Sequence, residues 1–83
     1  MQVTFKKSAI KALRSMQPKK ADDIRAAIAE FASAPARQDN NVTALVGIEG
    51  GARIRVGDWR VSVIVSEDAI EVFEIAARGS AYR

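Results

Sequence analysis

The sequence contains no cysteine and no histidine. The first absence excludes disulfides, thiolate metal sites and cysteine nucleophiles. The second removes the usual general base, the common zinc ligands and every Ser-His or Cys-His arrangement. No metal site and no cofactor are therefore expected. Long apolar runs are missing too: the longest strongly apolar patch, Val61 to Val65, is interrupted by Ser62. That is far short of the roughly 20 residues a membrane-spanning helix needs. The opening Met1-Gln2-Val3-Thr4-Phe5-Lys6-Lys7 has no apolar run of the kind found in signal peptides. A cytoplasmic protein with no membrane partner is the expectation. No GxGxxG or GxxxxGK pattern occurs, so Gly50-Gly51 reads as a turn and not as a nucleotide loop.

What is present is enough for one small domain. The 83 residues predict a single domain over 1–83, with a modest core because small domains bury less of their surface. A hydrophobic share of 48% supports packing over disorder. The 13 Lys and Arg exceed the 10 acids, a net charge of +3. Such a balance suits an anionic partner but does not by itself require one.

Periodicity divides the chain into elements. Val3 and Phe5 alternate with polar residues and predict a short opening strand. Ile10, Leu13 and Met16 recur about one turn apart and predict a helix from Lys7 to Gln17, ended by Pro18. Ile24, Ala27, Ile28 and Phe31 form an amphipathic stripe at i, i+3, i+4 and i+7, predicting a second helix from Lys19 to Ser33. Asp22 and Asp23 are expected in its first turn, where the helix dipole favours acids, and Pro35 closes it. A polar loop over Ala36–Asn41 leads to a possible strand over Val42–Ile48. Ala52–Val56, Trp59–Ser66 and Ile70–Ala77 read as three further strands. The fold class expected is α+β, with an N-terminal strand and a two-helix hairpin packed on one face of a mainly antiparallel twisted sheet.

The arginines of the third quarter carry the chemical signal. In Arg53-Ile54-Arg55-Val56 the arginines take one side of a strand and the aliphatics the other. If Gly57-Asp58 is a two-residue hairpin turn, Val56 pairs with Trp59, Arg55 with Arg60, Ile54 with Val61 and Arg53 with Ser62. Like charges directly opposite one another destabilise a sheet, so this arrangement calls for an explanation. Either the side chains splay into water or pair with Glu71 and Glu74, or they converge on an anion, for which the guanidinium fork suits phosphate. The register of the last strand is open, since Glu71, Phe73 and Ile75 alternate against Val72 and Glu74. Arg78, Tyr82 and Arg83 follow it. They are either a frayed tail or, packed back on the sheet, further cations and a phenol for the same face.

The run Arg53-Ile54-Arg55-Val56-Gly57-Asp58-Trp59-Arg60-Val61 resembles the central signature of the RelE/ParE toxin superfamily, in which tyrosine usually stands at the position of Trp59. Arg78-Gly79-Ser80-Ala81-Tyr82-Arg83 resembles the closing motif, and the opening strand and helical hairpin follow the family's order. The resemblance implies a RelE-like fold and the toxin half of a type II toxin–antitoxin pair. It further implies an endoribonuclease that cuts mRNA on the ribosome by attack of a ribose 2′-hydroxyl on the adjacent phosphate. By position it gives Arg60 and Arg78 the transition state and Arg53 and Arg55 the RNA, with Arg83 beside them. Tyr82 would stack on a base or assist proton transfer. The implied partners are a cognate antitoxin and ribosome-bound mRNA, with operator DNA reached only through the antitoxin. Two alternatives share the scaffold: a ParE-like inhibitor of DNA gyrase and a degenerate module that binds antitoxin only. The chain departs from the pattern at Ala77, where many active relatives carry histidine or lysine. That leaves Tyr82, whose ordinary pKa lies far above neutrality, as the acid/base group the resemblance offers.

Overall fold

A computed structural model describes residues 2–35 and 41–77. Along the chain these form β1 (Gln2–Phe5), α1 (Lys7–Ser15), α2 (Pro18–Ser33), β2 (Val42–Ala44), β3 (Gly51–Val56), β4 (Trp59–Val65) and β5 (Ala69–Ala77). The strands form one sheet in the order β1-β5-β4-β3-β2. Only β1 and β5 run parallel; the other three pairings are antiparallel. The expected α+β class, with a mainly antiparallel sheet, is what the chain adopts.

Both helices cover the same face of that sheet. Ala9 and Leu13 of α1, and Ala21, Ile24, Ile28, Phe31 and Ala32 of α2, are buried against the strands. The strands contribute Ala52, Ile54, Val61, Val63, Ile70, Val72 and Ile75 to the same core. The stripe expected on α2 is confirmed, with Ala27 at its partly covered margin.

The first helix differs from expectation in its face and its end. Its core side is Ala9, Ala12 and Leu13, at i, i+3 and i+4, with Met16, extended just past its end, packed against the same core. Ile10, one step of about 100° around the helix from Ala9, is 38% exposed. The helix stops at Ser15 and not at Gln17, because Pro18 disfavours helical geometry in the residue before it. Gln17 is accordingly extended (φ −60°, ψ 141°), and Pro18 opens α2 at its first turn instead of ending α1. This start moves Asp22 and Asp23 out of the first turn of α2. Asp22 instead meets Arg25 at 3.7 Å, an exposed pair that adds little stability.

β2 is also shorter than the sequence suggested, ending at Ala44. The chain then turns through Gly47 and Gly50, both at positive φ (84° and 74°). Leu45 N–H donates to the Gly51 carbonyl (3.0 Å) and Gly51 N–H to the Ile48 carbonyl (2.9 Å), closing the turn. No helix among the described residues is long and apolar enough to cross a membrane.

Candidate nucleic-acid interface

The helix-free face of the sheet is where the arginines gather. Gly57 has φ +58° and Asp58 lies at negative φ, the pattern of a type II′ hairpin turn, which matches the twist of the strands it joins. The pairing that follows is the one the sequence predicts: Val56 with Trp59, Arg55 with Arg60, Ile54 with Val61 and Arg53 with Ser62. Arg55 N–H points away from β4 and donates to the Asn41 carbonyl at 2.7 Å. Arg55 and Arg60 are thus a non-hydrogen-bonded pair, the closer kind, with Cα atoms about 4.5 Å apart. Two guanidinium side chains leave the sheet side by side.

They border a polar recess. A concavity of about 160 Å³ is lined by Arg55, Gly57, Asp58 and Arg60. Arg55 is exposed, and Arg53 and Arg60 are half-buried. The Arg53 Nε is buried with no hydrogen-bond partner among the described residues. A buried donor left unpaired costs free energy, and an oxygen-rich anion reaching the guanidinium could satisfy it.

Whether Glu71 and Glu74 neutralise these arginines depends on β5. Ser62 pairs with Glu74, but the next residue, Val63, pairs with Val72. Phe73 is therefore the extra residue of a β-bulge, and the alternation of β5 reverses across it. Ile70, Val72 and Ile75 all reach the core face (0, 0 and 7% exposed). Glu71 and Glu74 both take the arginine face, opposite Ile64 and Ser62. The hydroxyl of Ser8, in the first turn of α1, donates to the Phe73 carbonyl at 3.4 Å, tying the helix to the bulge. Sharing the face does not bring pairing: among the described residues no ion pair joins Glu71 or Glu74 to Arg53, Arg55 or Arg60.

The face seen edge to edge is a set of rows. Arg55, Arg60 and Ala76 make one; Thr43, Arg53, Ser62 and Glu74 make the next; Gly51, Ile64, Glu71 and Thr4 make the third. The structure thus unites Arg53, Arg55 and Arg60 as expected. Arg78, Tyr82 and Arg83 lie outside the described residues. Glu74 is the residue that sequence alternation left unplaced. Its signal was the spacing of three between Val72 and Ile75, which a regular strand with one apolar face does not allow.

No protein-family model matches the chain, and no curated protein matches its sequence. Solved structures do match in shape. A chain of the RelB–RelE antitoxin–toxin complex from Methanococcus jannaschii superposes with a TM-score of 0.77 at 24% identity, over 95% of this chain and 94% of that one. The isolated RelE toxin of E. coli gives 0.78 at 18% identity, over 98% and 89% of the two chains. YoeB from Staphylococcus aureus, solved as a dimer, gives 0.74 at 15% identity, over 89% and 92%. With TM-scores of 0.77 and 0.78 over nearly the whole chain, the chain has the fold of the RelE toxins.

Proposed function

We propose that this chain is the toxin of a type II toxin–antitoxin pair and acts as a ribosome-dependent endoribonuclease on mRNA. The observation that carries the reading is the close pair Arg55–Arg60 beside Arg53, on the helix-free face of a RelE-type sheet. The cleavage step moves negative charge onto phosphate oxygens as the 2′-oxygen attacks. Cations fixed in advance stabilise that charge without reorganising, and one well-placed donor is worth about 10² to 10³ in rate. In this scheme Arg60 and Arg78 hold the transition state, while Arg53, Arg55 and Arg83 bind the RNA backbone. Tyr82 stacks on a base or assists a proton transfer. The antitoxin is a protein that covers the basic face, as RelB is the partner of RelE in the matching complex. Operator DNA is reached through that antitoxin.

The test is induced expression in cells, with 5′ ends of mRNA mapped for wild type and Arg60→Ala. The expected result is new cuts within translated codons that disappear in the variant, together with its growth inhibition. Arg60 stands on the polar face, so folding should be unaffected. An Arg60→Ala chain that still cuts and still arrests growth would remove the role given to this residue. Growth arrest without cuts would point to gyrase or another target. Neither arrest nor cuts would mark a degenerate toxin, with Ala77 the first position to change.

A further inference from the structure

We propose that Glu74 is the proton acceptor of the arginine face, taking the proton of the ribose 2′-hydroxyl that attacks the phosphate. Glu74 can hold this role only if the chain is the endoribonuclease proposed above. The residue reaches the face through the Phe73 bulge, and bulges beside active sites commonly re-aim a side chain. It stands one row from Arg60, whose direct partner is Ala76, and is thus its diagonal neighbour. Such neighbours are roughly 7 to 8 Å apart, within reach of two long side chains. Only Ser62 separates it from Arg53 in its own row. A phosphate held by Arg60 and Arg53 would therefore present the adjoining ribose beside this carboxylate.

The carboxylate is also available. Glu74 is exposed, and among the described residues its carboxylate makes no hydrogen bond or ion pair, although an arginine lies within reach. A charge kept only to neutralise the arginines would be expected to pair with one. With no histidine in the chain, the carboxylates near these arginines among the described residues are Glu71 and Glu74 on the sheet face and Asp58 in the hairpin turn, on the far side of Arg60 from Arg53. Glu71 sits a row farther from Arg60, between Ile64 and Thr4.

The step balances as follows. The Glu74 carboxylate takes the 2′-hydroxyl proton while the 2′-oxygen forms a new bond to phosphorus. The bond from phosphorus to the 5′-oxygen breaks, its electron pair going to that oxygen. The 5′-oxygen draws one proton from water and leaves as a hydroxyl. Glu74 then returns its proton to solvent, and the other product is a 2′,3′-cyclic phosphate.

The test uses the full chain on ribosomes programmed with a defined mRNA, under single-turnover conditions. General acid–base groups typically contribute about 10² to 10⁴ in rate, so Glu74→Gln should slow cleavage by about 10²-fold or more. The toxin concentration giving half-maximal rate and the melting temperature should both hold. Added formate should restore cleavage by Glu74→Ala but not by Arg60→Ala, and Glu71→Gln should cleave as wild type does. A Glu74→Gln chain as fast as wild type would overturn the assignment. So would a loss that formate leaves unrepaired, or an equal loss in Glu71→Gln. A wild-type chain that cuts nothing would instead overturn the endoribonuclease reading, and the role of Glu74 with it.

Discussion

Alanine placed at Gly50 and at Gly57 separates two costs that a glycine can conceal. Both residues are in the left-handed region, at φ 74° and 58°. An L side chain there is disfavoured by roughly 1 to 2 kcal/mol. The lower chain entropy of unfolded alanine offsets about 0.4 to 1 kcal/mol of it. A Cβ on Gly57 would meet nothing within 4 Å, so this conformational term is the whole effect. A Cβ on Gly50 would lie well inside contact distance of the Val65 carbonyl oxygen. Val65 cannot easily retreat. Its N–H donates to the Gly50 carbonyl at 2.9 Å, and it is paired with Ile70 on the other side. Forcing an extra methyl into such a site adds roughly 1 to 3 kcal/mol. Gly57→Ala should therefore cost up to about 1.6 kcal/mol, and Gly50→Ala roughly 1 to 4.6 kcal/mol, about 1 to 3 kcal/mol more than Gly57→Ala. At about 4 to 8 °C per kcal/mol for a domain of this size, the melting temperature should fall by up to about 13 °C for Gly57→Ala, and by about 4 to 24 °C more for Gly50→Ala. Thermal unfolding followed by far-ultraviolet circular dichroism measures both. Equal losses, or a larger loss at Gly57, would refute the close approach of the β2–β3 turn to β4.

Two further substitutions test where the core lies. Ile28→Ala, at a side chain only 2% exposed, should lose about 2 to 5 kcal/mol in denaturant unfolding. A loss under about half a kcal/mol would mean that α2 presents a different face to the sheet. Ile10→Ser, at the exposed flank of α1, should change stability by no more than about 0.5 kcal/mol. A loss like that of Ile28→Ala would return Ile10 to the core and displace Ala9.

The β3–β4 hairpin was legible because three local signals agreed. A glycine suited to a two-residue turn was flanked by strands alternating in step, and only one register kept Ile54, Val56, Trp59 and Val61 together. The face of β5 was not legible by alternation, because the bulge at Phe73 breaks the period on which alternation depends. A strand holding Ile70, Val72 and Ile75 on one face has to contain such a break, so the information was present in the spacing. α1 was read correctly at Leu13 and Met16 and misread at Ile10, because alanines carry little hydrophobic signal. Ala9 is fully buried, yet the larger Ile10 dominates any count of apolar residues. Its end was misread because a proline between two helices can belong to either, and the extended Gln17 assigns this one to α2.

The local rules fail mainly on one side of the sheet. On the helix-covered side, periodicity, burial and register agree, and each buried residue is apolar. On the other side two arginines stand directly opposite each other. Among the described residues a third keeps a buried nitrogen unpartnered, and a bulge turns a glutamate toward them without an ion pair. Each of these features costs stability where stability alone would favour a plain alternative, such as a threonine opposite Arg55 or a regular β5. Errors of this kind, if random, would be spread over both faces. Their concentration around Arg60, with the opposite face consistent at every level, is the observation on which the proposed ligand site rests. In the function proposed above, Arg53, Arg55 and Arg60 would hold a phosphate diester and the Glu74 carboxylate would take a proton from the ribose beside it.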